Sequence, residues 1–359
     1  VIKAVAEGTV VPVRNVLATI ENTDPNCYWL TTYLETALLR AVWYPTTVAT
    51  QSWHIKQIIK GFLEKTGDTS LIDFKLHDFG ARGVSSLESA AIGGAAHLVN
   101  FMGTDTVSGL LYARKFYDAG IAGFSIPAAE HSTITSWGRA GEVDAYRNML
   151  KQFGQAGKIF AVVSDSYDIF NAAAKLWGEE LKDEVIASGA TLVIRPDSGD
   201  PVVINRQLIE ILGQKFGYTV NSKGFKVLNH VRMIQGDGVN ELSIRSILGA
   251  FMAAGWSADN IAFGMGGALL QQLDRDTQRF AMKCSSAQIN GEWVPVQKDP
   301  VTDSGKKSKA GRVTLYKNHE GEFFSGVEDW PNPELKTVYM NGVMFNQITF
   351  EQVRENSNK

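Results

Sequence analysis

After residue 70 the chain settles into a rhythm that few folds can accommodate. Short apolar runs recur, each ending in a polar or glycine-rich turn, with longer helical patterns between them. The runs are Phe74–Leu76, Leu98–Phe101, Gly123–Ile126, Ile159–Val163, Leu192–Ile194, Arg232–Ile234 and Ile261–Phe263. Helical spacing fills Tyr167–Ala187, Val203–Phe216 and Glu241–Ala254. Alternation of this kind implies parallel strands joined by crossover helices, an α/β fold. Seven such units in succession fit a complete or irregular eight-stranded barrel. A doubly wound open sheet is the alternative.

The flanks follow other rules. Ile2 to Thr23 alternates apolar and polar residues around Gly8, Pro12 and Asn15, the mark of short antiparallel strands. Tyr28 to Lys65 has helical spacing, with Leu30, Tyr33, Leu34, Ala37 and Leu38 on one face. A break is expected at Trp43–Pro45, with a second helix carrying Ile55, Ile58 and Phe62. Beyond residue 285 the strands expected are Glu292–Val296, Arg312–Tyr316 and Lys336–Tyr339. The organisation predicted is an N-terminal β-rich and helical segment over 1–70 and a barrel over 71–285. A β-rich segment over 286–359 is expected to pack with the N-terminal strands.

Composition narrows the function classes. With 359 residues, 44% of them hydrophobic, the chain can bury a barrel core and a smaller domain. A net charge of -3 supplies no broad basic field, which argues against nucleic acid as the main partner. No apolar run has the length of a bilayer crossing, and no signal peptide is evident. Cys27 and Cys284 lie far apart and make neither a disulfide framework nor a zinc spacing, so a reducing, cytoplasmic compartment is expected. The chain begins at Val1, without Met, and enters strand-like alternation at once, as a piece of a longer protein would.

In a barrel, the turns after the strands open on one face, and chemistry gathers there. Those turns read His77-Asp78-Phe79-Gly80 with Arg82, Gly103-Thr104-Asp105, Glu130-His131, Ser164-Asp165-Ser166, Arg195-Pro196-Asp197-Ser198-Gly199, Gln235-Gly236-Asp237-Gly238 and Gly264-Met265-Gly266-Gly267. Any one polar residue after a strand is most often a helix cap, and Ser85 with Glu88 reads as a capping box. Seven such turns in succession point to a phosphate-bearing substrate. Arg82, Arg195 and Arg275 suit bidentate contact with phosphate oxygens. Gly264–Gly267 suits backbone N–H donation to an anion. Asp197 and Asp237 suit ribose hydroxyls, and His131 has Glu130 beside it and Asp165 one strand away.

Several of these strings are long and unbroken enough to carry a resemblance. Lys75–Ser86, Gly103–Thr106, Pro127–Thr133, Val163–Asp168, Ile194–Gly199 and Ile234–Gly238 resemble the nicotinamide phosphoribosyltransferases of the type II phosphoribosyltransferase family. The resemblance runs from Ile2 almost to the C-terminus. It implies an irregular α/β barrel with a β-rich domain, working as a homodimer whose subunits share each active site. It also implies the substrates nicotinamide, phosphoribosyl pyrophosphate and ATP, with Mg²⁺ bridging the pyrophosphate; no metal ligand in the chain follows from it.

By the same resemblance, His131 takes a phosphoryl group from ATP and Asp165 is its carboxylate partner. Phe79 stacks on the pyridine ring, Asp105 accepts from the carboxamide, and Arg82 and Arg195 line the nicotinamide region. Asp197, Gly236, Asp237, Gly266, Gly267, Arg275, Lys283 and Lys306 surround ribose and phosphates. Ala161, Met265, Ala268 and Ala281 depart from the family pattern, so altered affinity is expected there. The family also carries a segment upstream of Ile2 that reaches the partner's site. Two alternatives follow: a nicotinate phosphoribosyltransferase, and a truncated, non-catalytic homologue.

Overall fold

The computed structural model describes residues 1–302 and 306–359. Packing divides the chain into two units. One comprises Val48–Arg114 and Gly120–Leu273; the other comprises Val1–Thr47, Lys115–Ala119 and Asp274–Lys359. Residues 48–70 thus group with the barrel and 274–285 with the other unit. Near the N-terminus lie β1 (Ile2–Ala4) and β2 (Ala18–Ile20), paired antiparallel. A single helix then runs over Glu35–Thr66, against the expected break: Pro45 sits inside it. The Thr47 hydroxyl donates to Trp43 O at 2.6 Å within that turn. Downstream, Val48, Ser52, Ile55, Ile59 and Leu63 form a buried stripe at helical spacing, whose burial outweighs one lost N–H.

The barrel unit holds β3 (Leu76–Asp78), β4 (Gly103–Thr104), β5 (Ile159–Val163), β6 (Thr191–Arg195), a small hairpin of β7 (Tyr218–Val220) and β8 (Lys226–Leu228), β9 (Val231–Gln235) and β10 (Ile261–Met265). Six of these form one parallel sheet in the order β4-β3-β10-β9-β6-β5. The expected strand at Gly123–Ile126 is instead a connector joining the sheet's two edges. Phe124 bridges Gly103 on β4, and Ala128 bridges Ala161 on β5. Leu98–Phe101 is no strand either. It follows the helix Leu87–His97, and the sheet resumes only at Gly103. That helix is capped by Ser86, not Ser85, with Oγ accepting from Ser89 N at 3.0 Å.

Alternation along each strand sorts the core into two faces. Phe160, Val162, Leu192, Ile194, Met233 and Phe263 are buried on one face. On the other, Ala161, Val193 and Ile234 make an interior cluster, against which Phe79, Ile126 and Ala262 pack. Lys75 lies just ahead of β3. Its ammonium donates to Ala258 O, Asp259 O and Ile261 O, and burial lowers its pKa to about 8.

In the second unit β11 (Ser286–Ile289) pairs with β12 (Glu292–Pro295), and β13 (Val313–Lys317) with β14 (Phe323–Val327). β15 (Lys336–Met340) pairs with both β1 and β16 (Val343–Met344), giving the sheet β16-β15-β1-β2. Arg312 bridges Glu21 and Glu328 there, at 3.1 and 2.9 Å. Among the described residues no helix is long and apolar enough to cross a membrane.

Candidate active site

The period-two rule places the next inward residues at the carboxyl ends of the strands. Above Val193 comes Arg195, above Ile234 comes Gly236, and above Ala262 comes Gly264. This layer is filled by two large side chains and vacated by two glycines. A Cβ on Gly264 would lie 1.8 Å from Phe79 Cε2, and one on Gly236 would lie 2.7 Å from Arg195 Nη2. The Arg195 guanidinium sits over the Phe79 ring, 5.2 Å from its centroid. Phe79 is further held by its N–H, which donates to Met265 O at 3.0 Å.

From Arg195 a polar chain leads across three turns. Its Nε and Nη2 donate to Asp197 Oδ1 at 3.0 and 2.7 Å. Asp197 Oδ2 is 3.3 Å from His131 Nε2, and Asp165 Oδ1 is 3.8 Å from the same nitrogen. The other Asp165 oxygen accepts from Asp197 N at 2.9 Å and from Ser198 Oγ at 2.6 Å. Asp165 Oδ1 is buried and accepts no hydrogen bond among the described residues, and the imidazole lies 3.8 Å from it. His131 Nδ1 faces Ser166 Oγ at 3.5 Å. His131 itself is 42% exposed while Asp165 is 4% exposed. An accessible imidazole backed by two fixed carboxylates can accept and hold a group delivered from solvent.

Glu130 does not face that imidazole. It caps the helix His131–Thr135 by accepting from Ser132 N at 2.9 Å, and the Ser132 hydroxyl also binds it. Those bonds hold its carboxyl below the usual range, assisted by the charges of His131 and Arg82. Arg82 itself lies exposed on the 3-10 turn Ala81–Gly83.

Two carboxylates mark the start of the barrel mouth. Asp105 is exposed and accepts from Ser125 Oγ at 2.5 Å. Asp78, fully buried, accepts from Gly80 N at 2.7 Å, and burial pushes its pKa up to about 6. Burial likewise lowers the pKa of His77, partly offset by Asp105.

On the far side, Gln235 fixes the turn before Asp237. Its amide donates to Asp237 O at 2.7 Å and accepts from Asn205 Nδ2 at 2.6 Å. Asp237 stays exposed. Gly266 and Gly267 open a helix of one turn, Gly267–Leu270. The expected anion cradle there is reduced to that turn, since Gly264 and Met265 belong to β10. Ala161 lies within the apolar interior cluster. Ser125 is missed by the sequence reading, and Ser166, Ser198 and Gln235, though named in the turns, receive no role there, because single hydroxyls and amides in turns carry no pattern.

Arg275, Lys283 and Lys306 belong to the other unit. Arg275 donates to Phe280 O at 2.7 Å and pairs with Asp276, and Lys283 donates to Met282 O at 2.7 Å. Lys306 is exposed.

The parallel sheet with polar residues ringing its carboxyl ends is an α/β barrel arrangement with its candidate ligand site at that face. The fold is similar to the crystal structure of nicotinate-nucleotide pyrophosphorylase from Pyrococcus furiosus, with a TM-score of 0.65 at 19% identity, covering 99% of this chain and 79% of that one. The chain belongs to the nicotinate phosphoribosyltransferase (NAPRTase) family, whose model matches residues 74–343. It is 60% identical to the nicotinamide phosphoribosyltransferase of Xanthomonas campestris pv. campestris (strain 8004), over 98% of this chain and 77% of that protein. The nicotinamide phosphoribosyltransferase of Acinetobacter baylyi is 33% identical over 99% of this chain and 75% of its own length. That of Mycoplasma genitalium is 36% identical over 85% and 70%.

Proposed function

We propose that the chain transfers the ribose 5-phosphate of phosphoribosyl pyrophosphate to nicotinamide, giving nicotinamide mononucleotide and pyrophosphate in NAD salvage. The observation that carries this reading is the 60% identity, over almost the whole chain, to a nicotinamide phosphoribosyltransferase. The layer of Phe79 and Arg195 at the barrel mouth supports it, because a flat aromatic face beside a cation suits a pyridine ring.

In this reading the pyridine nitrogen forms a bond to C1 of the ribose as the C1–O bond to pyrophosphate breaks. The leaving oxygen takes the electron pair. Phe79 stacks the ring, Asp105 accepts from the carboxamide, and Arg82 and Arg195 border the base. Asp197, Gly236 and Asp237 meet the ribose, with Gly266, Gly267, Arg275, Lys283 and Lys306 assigned to the phosphates. Holding the base in line with C1 is the larger part of the catalysis. Cations stabilise the charge that gathers on pyrophosphate.

His131 plays a separate part. We assign it as the acceptor of the γ-phosphoryl group of ATP: an imidazole nitrogen bonds to phosphorus and ADP leaves. Asp197 and Asp165 hold the ring, and later hydrolysis of the phosphohistidine couples ATP to product formation. Among the described residues no three His, Cys, Asp or Glu side chains converge as a metal cage. From the family resemblance we propose that Mg²⁺ arrives with the substrate's phosphate groups, the manner in which this ion binds phosphorylated substrates.

A homodimer with shared sites is proposed from the family resemblance, and sedimentation of the purified chain tests it. The free thiols of Cys27 and Cys284 support a cytoplasmic location. The deciding assay offers nicotinamide and nicotinate separately, with phosphoribosyl pyrophosphate, Mg²⁺ and ATP. Mononucleotide from nicotinamide alone is the expected result. Preference for nicotinate overturns the choice of base.

A further inference from the structure

Behind the His131–Asp165 pair lies a buried polar group that the proposed chemistry does not use. Ser164, the residue before Asp165, is fully buried, and its Oγ donates to Val162 O at 3.0 Å. The same oxygen accepts from Trp177 Nε1 at 3.1 Å. The Trp177 ring, also fully buried, stacks on Tyr146 with centroids 4.6 Å apart and planes 13° from parallel. Tyr146 OH donates to Glu142 Oε1 at 2.9 Å, and Glu142 is itself buried.

These groups come from the elements that carry the two site residues. Tyr146 and Glu142 belong to the helix Glu142–Phe153, which packs against the short helix beginning at His131. Ser164 follows β5 and leads directly into Asp165. Trp177 stands in the middle of a π-helix, Ala172–Glu180, an element rarely retained without a local reason. The wider π turn changes which residue faces inward relative to an α-helix of the same start, and here it presents the indole N–H to Ser164. Burial raises the pKa of both Glu142 and Tyr146, so the phenol keeps its proton as the donor.

We propose that Trp177, Ser164 and Tyr146 are positioning residues that lock the Asp165 turn to the His131 helix, setting the geometry in which His131 receives its phosphoryl group. None touches a substrate. The inference rests on the phosphohistidine reading given above. Each member has its hydrogen bonds satisfied inside the core; removing the Ser164 hydroxyl leaves the buried Trp177 N–H without its acceptor, and removing the Tyr146 hydroxyl leaves a buried Glu142 oxygen without its donor, which frees the turn. A displacement near 1 Å at the reacting group is enough to cost about 100-fold in rate.

The test measures the rate of acid-labile phosphate incorporation at His131 from labelled ATP, in the full chain and in Ser164→Ala and Tyr146→Phe. Tyr146→Phe keeps the stacked ring and guards against a variant that fails to fold. Both should slow phosphorylation, Ser164→Ala by about 10- to 100-fold, while KM for nicotinamide stays at the wild-type value. Variants phosphorylated at the wild-type rate overturn the inference. So does slowing matched by an equal rise in KM for nicotinamide, which is general loosening of the barrel mouth. A wild-type chain that takes no phosphate overturns the phosphohistidine reading itself, and this inference with it.

Discussion

At the mouth of the barrel the Asp105 carboxylate is held by Ser125 Oγ, an arrangement that fixes a negative charge in place. Bringing the carboxylate of nicotinate within about 4 Å of it costs roughly 4 kcal/mol at an effective dielectric constant near 20. Asp105→Asn is therefore expected to narrow the preference for nicotinamide by about two orders of magnitude, exposure and salt taking part of the full value. The ratio of kcat/KM for the two bases reads this directly, and an unchanged ratio removes Asp105 from the specificity argument. Asp78 supplies a second prediction. Its folded pKa of about 6 lies above the 3.8 of an unperturbed Asp, so the native state binds the proton more tightly. The stability this gives is complete below about pH 4 and is lost as pH rises through 6. Asp78→Asn should then gain roughly 1–3 kcal/mol at pH 7.5 and little at pH 4, measured by denaturant unfolding. Asp105 and Asp197 were legible in the sequence because each closes an apolar run. The roles of Ser125, which holds Asp105, and of Ser198, which holds Asp165, were not, since a turn hydroxyl looks the same whether or not it is used.

Strands announce themselves when both faces are apolar, as in Ile159–Val163, where burial of Phe160–Val163 forbids any polar alternate. Gly103–Thr104 could not be seen, because two residues leave no period to read. The apolar run Leu98–Phe101 drew the strand assignment in its place, though its hydrophobicity serves the packing after a helix end. Pro45 misled in the opposite sense, since its local cost is overridden by the buried stripe of its own helix. The glycine in β10 shows how an element serves the site. Gly264 looked like part of a phosphate loop, yet its missing Cβ is what admits the Phe79 ring. Gly264→Ala must displace that ring, as a contact of 1.8 Å cannot be absorbed by small shifts. The expected result is a rise of about tenfold or more in KM for nicotinamide, comparable to losing one stacked aromatic contact. KM for phosphoribosyl pyrophosphate should change less. Equal changes in both would mean that Phe79 does not meet the base.

Over the whole molecule, five of the seven expected runs mark strands of the sheet, Leu98–Phe101 follows a helix end with β4 coming after it, and Gly123–Ile126 is a connector; that connector is where architecture and chemistry meet. Ala161 N donates to Pro127 O at 2.9 Å, and Ala129 N donates to Ala161 O at 3.0 Å. These two bonds attach the connector to β5, whose far end leads into Asp165, two residues before the connector itself reaches His131. Closure of the sheet and approach of the two side chains are thus one geometric event. Ala129→Pro deletes one of the two donors and should cost about 3 kcal/mol. For a unit of this size that corresponds to a fall in Tm of roughly 6–12 °C. Closure by way of Ala129 also predicts where the functional damage falls. ATP-stimulated turnover should drop to the level seen without ATP, because His131 loses its register with Asp165, while KM for nicotinamide changes less, since Phe79 is held from Met265 O on β10. Thermal unfolding and paired assays with and without ATP read both effects on one preparation. A variant that loses stability and still responds fully to ATP would show that the connector closes the barrel without setting the site.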